Sequence, residues 1–201
     1  MDADKNHGME PAELREIATQ RRLGTRDIID VCRASSGRDG DPVKVELYRL
    51  TLDTDRGTAV NALRIFTHFD SHDLRWLDTW HQELIDRALA ETDLRKLRML
   101  LTLLFRLPFH PERLNTDFLD LCIRLFTDTS LPYAIRALGM KLAGKQMASF
   151  PELTGELAIT LQLLEQEELS PGLLSAKRQV DEMIKKAQRR HRKAVATKHQ
   201  A

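Results

Sequence analysis

Three tetrapeptides constrain this chain more than any other feature: Ala62-Leu63-Arg64-Ile65, Lys96-Leu97-Arg98-Met99 and Ala134-Ile135-Arg136-Ala137. Their arginines stand 34 and 38 residues apart. Each tetrapeptide lies early in a segment of helical periodicity, followed by a turn and a second such segment. A unit of that length holds two helices and a connection, and it cannot bury its apolar face alone. A period in the thirties therefore predicts helical hairpins, each covered by its neighbours. The three arginines are expected either to line a common ridge or to pair with acids between repeats, the second being the preferred use.

The second helix of each hairpin carries an apolar face at i, i+3, i+4 and i+7 spacing. The faces are Leu77, Trp80 and Leu84, then Phe118, Leu121 and Leu125, then Leu153, Leu157, Leu161 and Leu164. This spacing assigns Trp80 to the core and leaves Trp76 off the face, as a surface anchor. In the last hairpin, Ile135, Leu138 and Leu142 form a stripe, and Ala134, Ala137 and Gly144 let another helix approach closely. Ser149 and Glu152 have the spacing of a capping box, with Pro151 in the first turn. A final helix starts at Ser170-Pro171 and buries Leu173, Ala176, Val180 and Ile184. Leu, Arg and Ala lead the composition, with only nine glycines and seven prolines. Straight-chain residues lose little rotamer freedom in a helix, so the balance supports an all-α fold.

Towards the N-terminus, residues 1–9 are expected to be disordered. Pro11 suits the first turn of a helix through ELREIATQRR. Gly24 ends it, and Thr25 caps a second helix, RDIIDVCRAS. Residues 10–36 thus form an N-terminal helical hairpin. Leu14, Ile17, Ala18, Leu23, Ile28 and Val31 also have helix-turn-helix spacing. Arg22 stands where that motif usually has Gly, and Asp27 and Asp30 suit a DNA groove badly. A plain first hairpin is the preferred reading. SSGRDGD at 35–41 is dense in turn formers and reads as a linker. Asp41 then caps and Pro42 opens a helix with Val43, Leu47 and Leu50 on one face. The repeat array is placed at 37–184 and a basic tail at 185–201.

The run Ser130-Leu131-Pro132-Tyr133-Ala134-Ile135-Arg136, followed by Gly139 and Leu142, resembles the first helix of a HEAT-type repeat. There a polar turn and a proline precede an aliphatic-Arg pair, then a small residue, then Leu. The resemblance covers about residues 57–168. It implies an α-α superhelix of stacked HEAT-like hairpins, an armadillo-type architecture, and no particular activity. The chain also resembles a group of short bacterial HEAT-like proteins, some labelled adenylosuccinate lyase. True lyases of that kind are far longer and share an SSxMPxK-type loop that is absent here, so the label brings no chemistry to this chain.

The net charge of +1 hides an asymmetry. Residues 184–201 hold seven Lys/Arg and no acid, while the other 183 residues hold 24 basic and 30 acidic ones. Lys185, Lys186, Arg189, Arg190, Arg192 and Lys193 form the strongest electrostatic feature. Several such residues would give salt-dependent, sequence-blind affinity for nucleic acid. No aromatics are interleaved for base stacking, and no bulky apolar face suits a membrane surface. The plainer reading is a solvated helix extension.

Other chemistry finds little support. MLLTLLF at 99–105 is far short of the roughly 20 apolar residues a membrane span needs. The N-terminus has no apolar signal-peptide region. Cys32 and Cys122 lie on apolar faces without disulfide or metal spacing, which suits a reducing cytoplasm. His68 and His72 are i, i+4, with Asp70 and Asp73 nearby, but Asp70-Ser71 reads as a helix break with Ser71 as cap, so no metal site is expected. No serine elbow, no thiol beside a histidine and no phosphate loop appears, so no catalytic residue and no cofactor is assigned. The expected role is a non-enzymatic interaction or scaffold protein with a protein partner. The alternative is nucleic-acid binding through the tail. A weaker one is a DNA glycosylase-like enzyme using Trp76, Asp78 and Trp80.

Overall fold

Helix follows helix along the chain, most of them started by a short polar side chain or a proline, while Gly24 and Trp80 precede the helices that open at Thr25 and His81. The computed structural model describes residues 9–163 and 169–198, with side chains at all of these except 151, 152, 163 and 192–198. The disorder expected for 1–9 falls, at all but residue 9, outside the described residues, and so do the burial of Leu164 and the Glu152 side chain of the Ser149–Glu152 capping box. The helices are α1 (Pro11–Thr19), α2 (Thr25–Ala34), α3 (Asp41–Leu50), α4 (Arg56–Phe66), α5 (Ser71–Leu74), α6 (His81–Ala90), α7 (Leu94–Arg106), α8 (Thr116–Thr127), α9 (Tyr133–Met147), α10 (Pro151–Leu163) and α11 (Pro171–Lys198). Short 3₁₀ turns occupy Arg75–Trp80 and Pro111–Arg113. There is no strand among the described residues, and the fold is all-α and of helical-repeat type. The chain divides into two units, Met1–Glu83 with Glu91–Leu107, and Leu84–Ala90 with Pro108–Ala201.

In the first unit α1 packs on α3 and α4, and α4 also meets α2, α3 and α7. The faces expected from spacing are the buried ones: Leu14, Ile17 and Ala18, then Ile28 and Val31, then Val43, Leu47 and Leu50. Acidic side chains cap the helix starts. Asp55 accepts from the Thr58 backbone N–H at 2.7 Å, and Asp93 from that of Arg95 at 2.8 Å. Donors reach the helix ends. Asn61 gives two hydrogen bonds of 2.9 Å, to the carbonyls of Ala18 and Gln20 at the end of α1. Arg106 donates to the carbonyls of Thr67 and Phe69, at 2.5 and 2.6 Å, just past α4.

The stretch 35–41 is a tight turn between α2 and α3. Gly37 has φ +66°, and a Cβ on Gly40 would sit 2.2 Å from the carbonyl carbon of Ser35. The turn is fastened by the buried Lys44, whose ammonium donates to the Gly37 carbonyl at 2.7 Å and to Asp41 at 3.0 Å.

In the second unit α9 packs against α8, α10 and α11. Two glycines set the spacing. A Cβ on Gly139 would lie 2.8 Å from the Cys122 carbonyl oxygen, and one on Gly144 would lie 2.7 Å from Val180 Cγ1. Gly144 therefore admits α11 as its small size suggests, while Ala134 is exposed and Gly139 makes the approach to α8. Leu173, Ala176, Val180 and Ile184 are all buried. The arginines of the repeated tetrapeptide differ in burial. Arg64 and Arg98 are exposed, but Arg136 is only 4% exposed, and its Nε donates to the Phe126 carbonyl at 3.2 Å, at the end of α8.

Substituting these glycines separates packing from propensity. Gly139→Ala is expected to destabilise the protein by about 1–3 kcal/mol, because a backbone carbonyl cannot move aside cheaply. A Cβ added to Gly155 on α10 would meet nothing within 4 Å, so Gly155→Ala should stabilise by about 0.5–1 kcal/mol. Denaturant midpoints of the two variants check both signs.

Candidate interaction surface

Helix α3 has two apolar faces. Val43, Leu47 and Leu50 point into the core, and Val45 and Tyr48, with Leu52 in the turn just past the helix, recur at i, i+3 and i+7 on another side. Val45 and Leu52 are 56% and 55% exposed, far more than an apolar side chain needs for folding. Tyr48 is buried because indole rings from the 3₁₀ turn close over it. Its ring stacks on Trp80 with centroids 4.8 Å apart, and meets Trp76 edge-on at 6.2 Å. Trp76 in turn lies nearly parallel to Phe66 at 6.4 Å. The Tyr48 hydroxyl donates to Glu83 at 2.8 Å, which fixes the ring's polar end. Val45, Tyr48, Arg49, Leu52, Trp76, Trp80 and Glu83 together line a groove of about 240 Å³.

Trp80 departs from the place that spacing assigns it. Trp80, expected in the core, is 36% exposed, whereas Trp76 is half-buried between Tyr48 and Phe66. The reason is local. Trp80 ends the 3₁₀ turn and starts α6 with φ −101° and ψ 10°, so the chain bends there. The Leu77-Trp80-Leu84 pattern spans two differently wound segments rather than one helix. Leu77 and Leu84 are buried and Trp80 is turned outward. The i, i+3, i+7 signal of Val45, Tyr48 and Leu52 is present in the sequence, but the stronger opposite face of α3 masks it.

The histidine-acid cluster is divided between two elements. His68 follows α4 and His72 lies in α5, so the i, i+4 spacing does not fall on one helix. Asp70, rather than Ser71, caps α5, accepting from the backbone N–H groups of His72 and Asp73 at 2.8 Å each. Asp70, His72 and Asp73 bring possible ligand atoms within 4.8 Å of one another. The Asp73 carboxylate is already engaged, with the Lys44 ammonium at 3.1 Å and the Gly37 N–H at 3.0 Å. Burial pushes its carboxyl up, but Lys44, Gly37 and Ser36 outweigh that and hold it below the usual range. Neither thiol is poised for reaction. Burial and the nearby Asp70 and Asp73 carboxylates raise Cys32 to about 11, and complete burial raises Cys122 further.

Of the basic residues singled out near the C-terminus, Lys185, Lys186, Arg189 and Arg190 lie exposed on α11. Lys185 pairs with Glu182 at 3.0 Å. Arg192 and Lys193 are on the same helix, their side chains outside those described. No described helix is long and apolar enough to cross a membrane.

An all-α chain of paired helices, with an exposed aromatic groove on one of them, defines a helical-repeat protein. The comparison with family models makes this particular: a HEAT repeat domain model matches residues 17–184, and the chain belongs to that family. The match takes in α2 and α3 as well as the stretch that the repeated tetrapeptides mark. Comparison with curated proteins gives no match, and comparison with solved structures gives none either.

Breaking the buried pair with Asp73→Asn leaves the Lys44 ammonium with only the half-exposed Asp41 carboxylate as counter-charge and should cost about 1–3 kcal/mol. Because the folded carboxyl titrates low, its contribution is complete above about pH 4 and is lost as pH falls through the lower folded value. The acid limb of a stability curve should flatten in the variant. Thiol labelling at neutral pH should be slow at Cys32 and limited by unfolding at Cys122, as timed mass spectrometry would show.

Proposed function

We propose that this chain is a non-enzymatic interaction protein whose α3 groove receives one apolar helical segment of a partner protein. The observation that carries the reading is the exposed Val45-Leu52-Trp80 rim around Tyr48. Its stripe has the spacing of a helix face, which suits a second helix laid along it. Trp, Tyr and Arg are the residues most often found at energetic centres of interfaces, and the groove holds all three. Membership of the HEAT repeat domain family supports the same role. The groove's charges, Arg49 and Glu83, stand at an apolar lining, and neither thiol offers a nucleophile. The free thiols Cys32 and Cys122 suit a reducing, cytoplasmic setting.

A second reading rests on the exposed Lys185, Lys186, Arg189 and Arg190 along α11. It gives the protein sequence-blind contacts with nucleic acid whose affinity falls steeply with salt.

Selection of helical peptides from a displayed library tests the first reading. Selected binders should carry apolar residues at i, i+3 or i+4, and i+7. Trp80→Ala and Val45→Asp should each weaken them by about tenfold or more. Binders indifferent to both substitutions would remove the groove from consideration.

A further inference from the structure

The α3 groove continues past Leu52. Arg49 and Leu52, which line it, also line a second hollow of about 330 Å³ together with Arg15, Leu50, Asp53 and Thr54. The two hollows share that edge, so one surface runs from Val45 beyond the end of α3. Its halves differ in chemistry. The first is walled by Val45, Leu52 and two indole rings, the second by two guanidinium groups, a carboxylate and a hydroxyl. Arg49 stands in the last turn of α3 and Leu52 just past it, so the polar half lies at the C-terminal end of that helix.

The polar half is richer in donors than in acceptors. Arg15 pairs with Asp53 at 2.9 Å and Arg49 with Glu46 at 3.4 Å. Both charges are thus compensated, but a guanidinium carries more N–H groups than one carboxylate contact uses. The Arg15 and Arg49 side chains are 56% and 78% exposed, so those further N–H groups are open to a partner. The carboxylate is engaged at both oxygens: one meets Arg15, and the other accepts from the Asp55 backbone N–H at 2.8 Å. What suits this end is a group with oxygen acceptors and no need of a full charge. The last carbonyls of a helix lack partners within it and bear the negative end of its dipole. The chain meets this need in itself with guanidinium groups. Arg106 donates to carbonyls just past α4, and Arg136 to one at the end of α8. A helix arriving by its N-terminus would instead set N–H donors and a positive dipole end against the arginines.

We propose that the segment received by the groove is the C-terminal end of an apolar helix of a partner protein, lying along α3 in the same direction as α3. Its apolar stripe covers Val45, Tyr48 and Leu52, and its last-turn carbonyls take hydrogen bonds from Arg15 and Arg49. This rests on the reading that the α3 groove receives a partner helix, and it adds the polarity of that helix and the end by which it is held.

Fluorescence polarisation on the full chain tests this with two stapled helical peptides of about four turns, the staple holding a helix that is marginal alone. Both carry one leucine stripe at i, i+3 and i+7 and an amidated C-terminus. The stripe fills the last two turns of the first peptide and the first two turns of the second, whose helix end then overshoots the hollow. The first should bind more tightly, by about threefold or more. Arg15→Gln and Arg49→Gln should each weaken the first peptide by about threefold or more. Arg15→Gln should change the second by less than about twofold. Val45→Asp should weaken both by about tenfold, since it reports the groove itself. Circular dichroism melts confirm that the variants fold. If neither peptide binds, or Val45→Asp leaves both unchanged, the groove reading falls and this inference with it. If both bind through the groove with equal affinity, or Arg15→Gln acts on both alike, the groove reading stands and the assigned polarity is wrong. An acidic peptide without the stripe that binds as tightly as the first marks plain charge attraction and also overturns the inference.

Discussion

A short helix ends in carbonyls that have no partner within it, and a chain built of short helices meets this constraint again and again. Here the partners come from side chains of helices packed later. Asn61 of α4 reaches the end of α1, Arg106 of α7 the turn after α4, and Arg136 of α9 the end of α8. Each bond forms only when the donor's helix is docked, so packing and backbone satisfaction become one event. At the opposite ends, Asp55, Asp70, Asp93 and Asn115 accept from first-turn N–H groups. Several charged side chains thus serve helix ends.

The same economy shapes the groove in the first unit. The Lys44–Asp73 pair fastens the 35–41 turn, fixing the start of α3 beside α5. The 3₁₀ turn that follows α5 delivers Trp76 and Trp80 over Tyr48. A buried ion pair contributes little net stability compared with apolar residues of similar size. What this pair does is set geometry: it ties the segment that opens α3 to the helix that leads into the indoles.

Periodicity makes most of the core legible. Leu14, Ile17 and Ala18, and later Leu173, Ala176, Val180 and Ile184, declare their faces because each set lies within one uninterrupted helix. Spacing misleads where that condition fails. Trp80 departs from its expected place because winding changes at the residue itself. The cap of α5 is Asp70 rather than Ser71, a choice that two adjacent capping residues leave open in sequence. Arg136 resembles Arg64 and Arg98 in sequence, yet it alone is buried, since burial depends on which helix end lies across from it. The candidate site is less legible still. Nothing in Val45 or Leu52 announces that aromatic rings from residues 76 and 80 will flank them, and Arg15 joins Arg49 only through tertiary packing.

The chain has two tryptophans, and both belong to the one aromatic group around Tyr48. Selectively excited indole emission therefore originates at this face alone. The protein carries its own optical probe there, with one ring half-buried against Phe66 and the other open to solvent, so that two emitting environments sit side by side. Events that leave α3 and the 3₁₀ turn undisturbed are dark to this probe, and a fluorescence melt reports the loosening of one corner of the first unit rather than the unfolding of the whole chain.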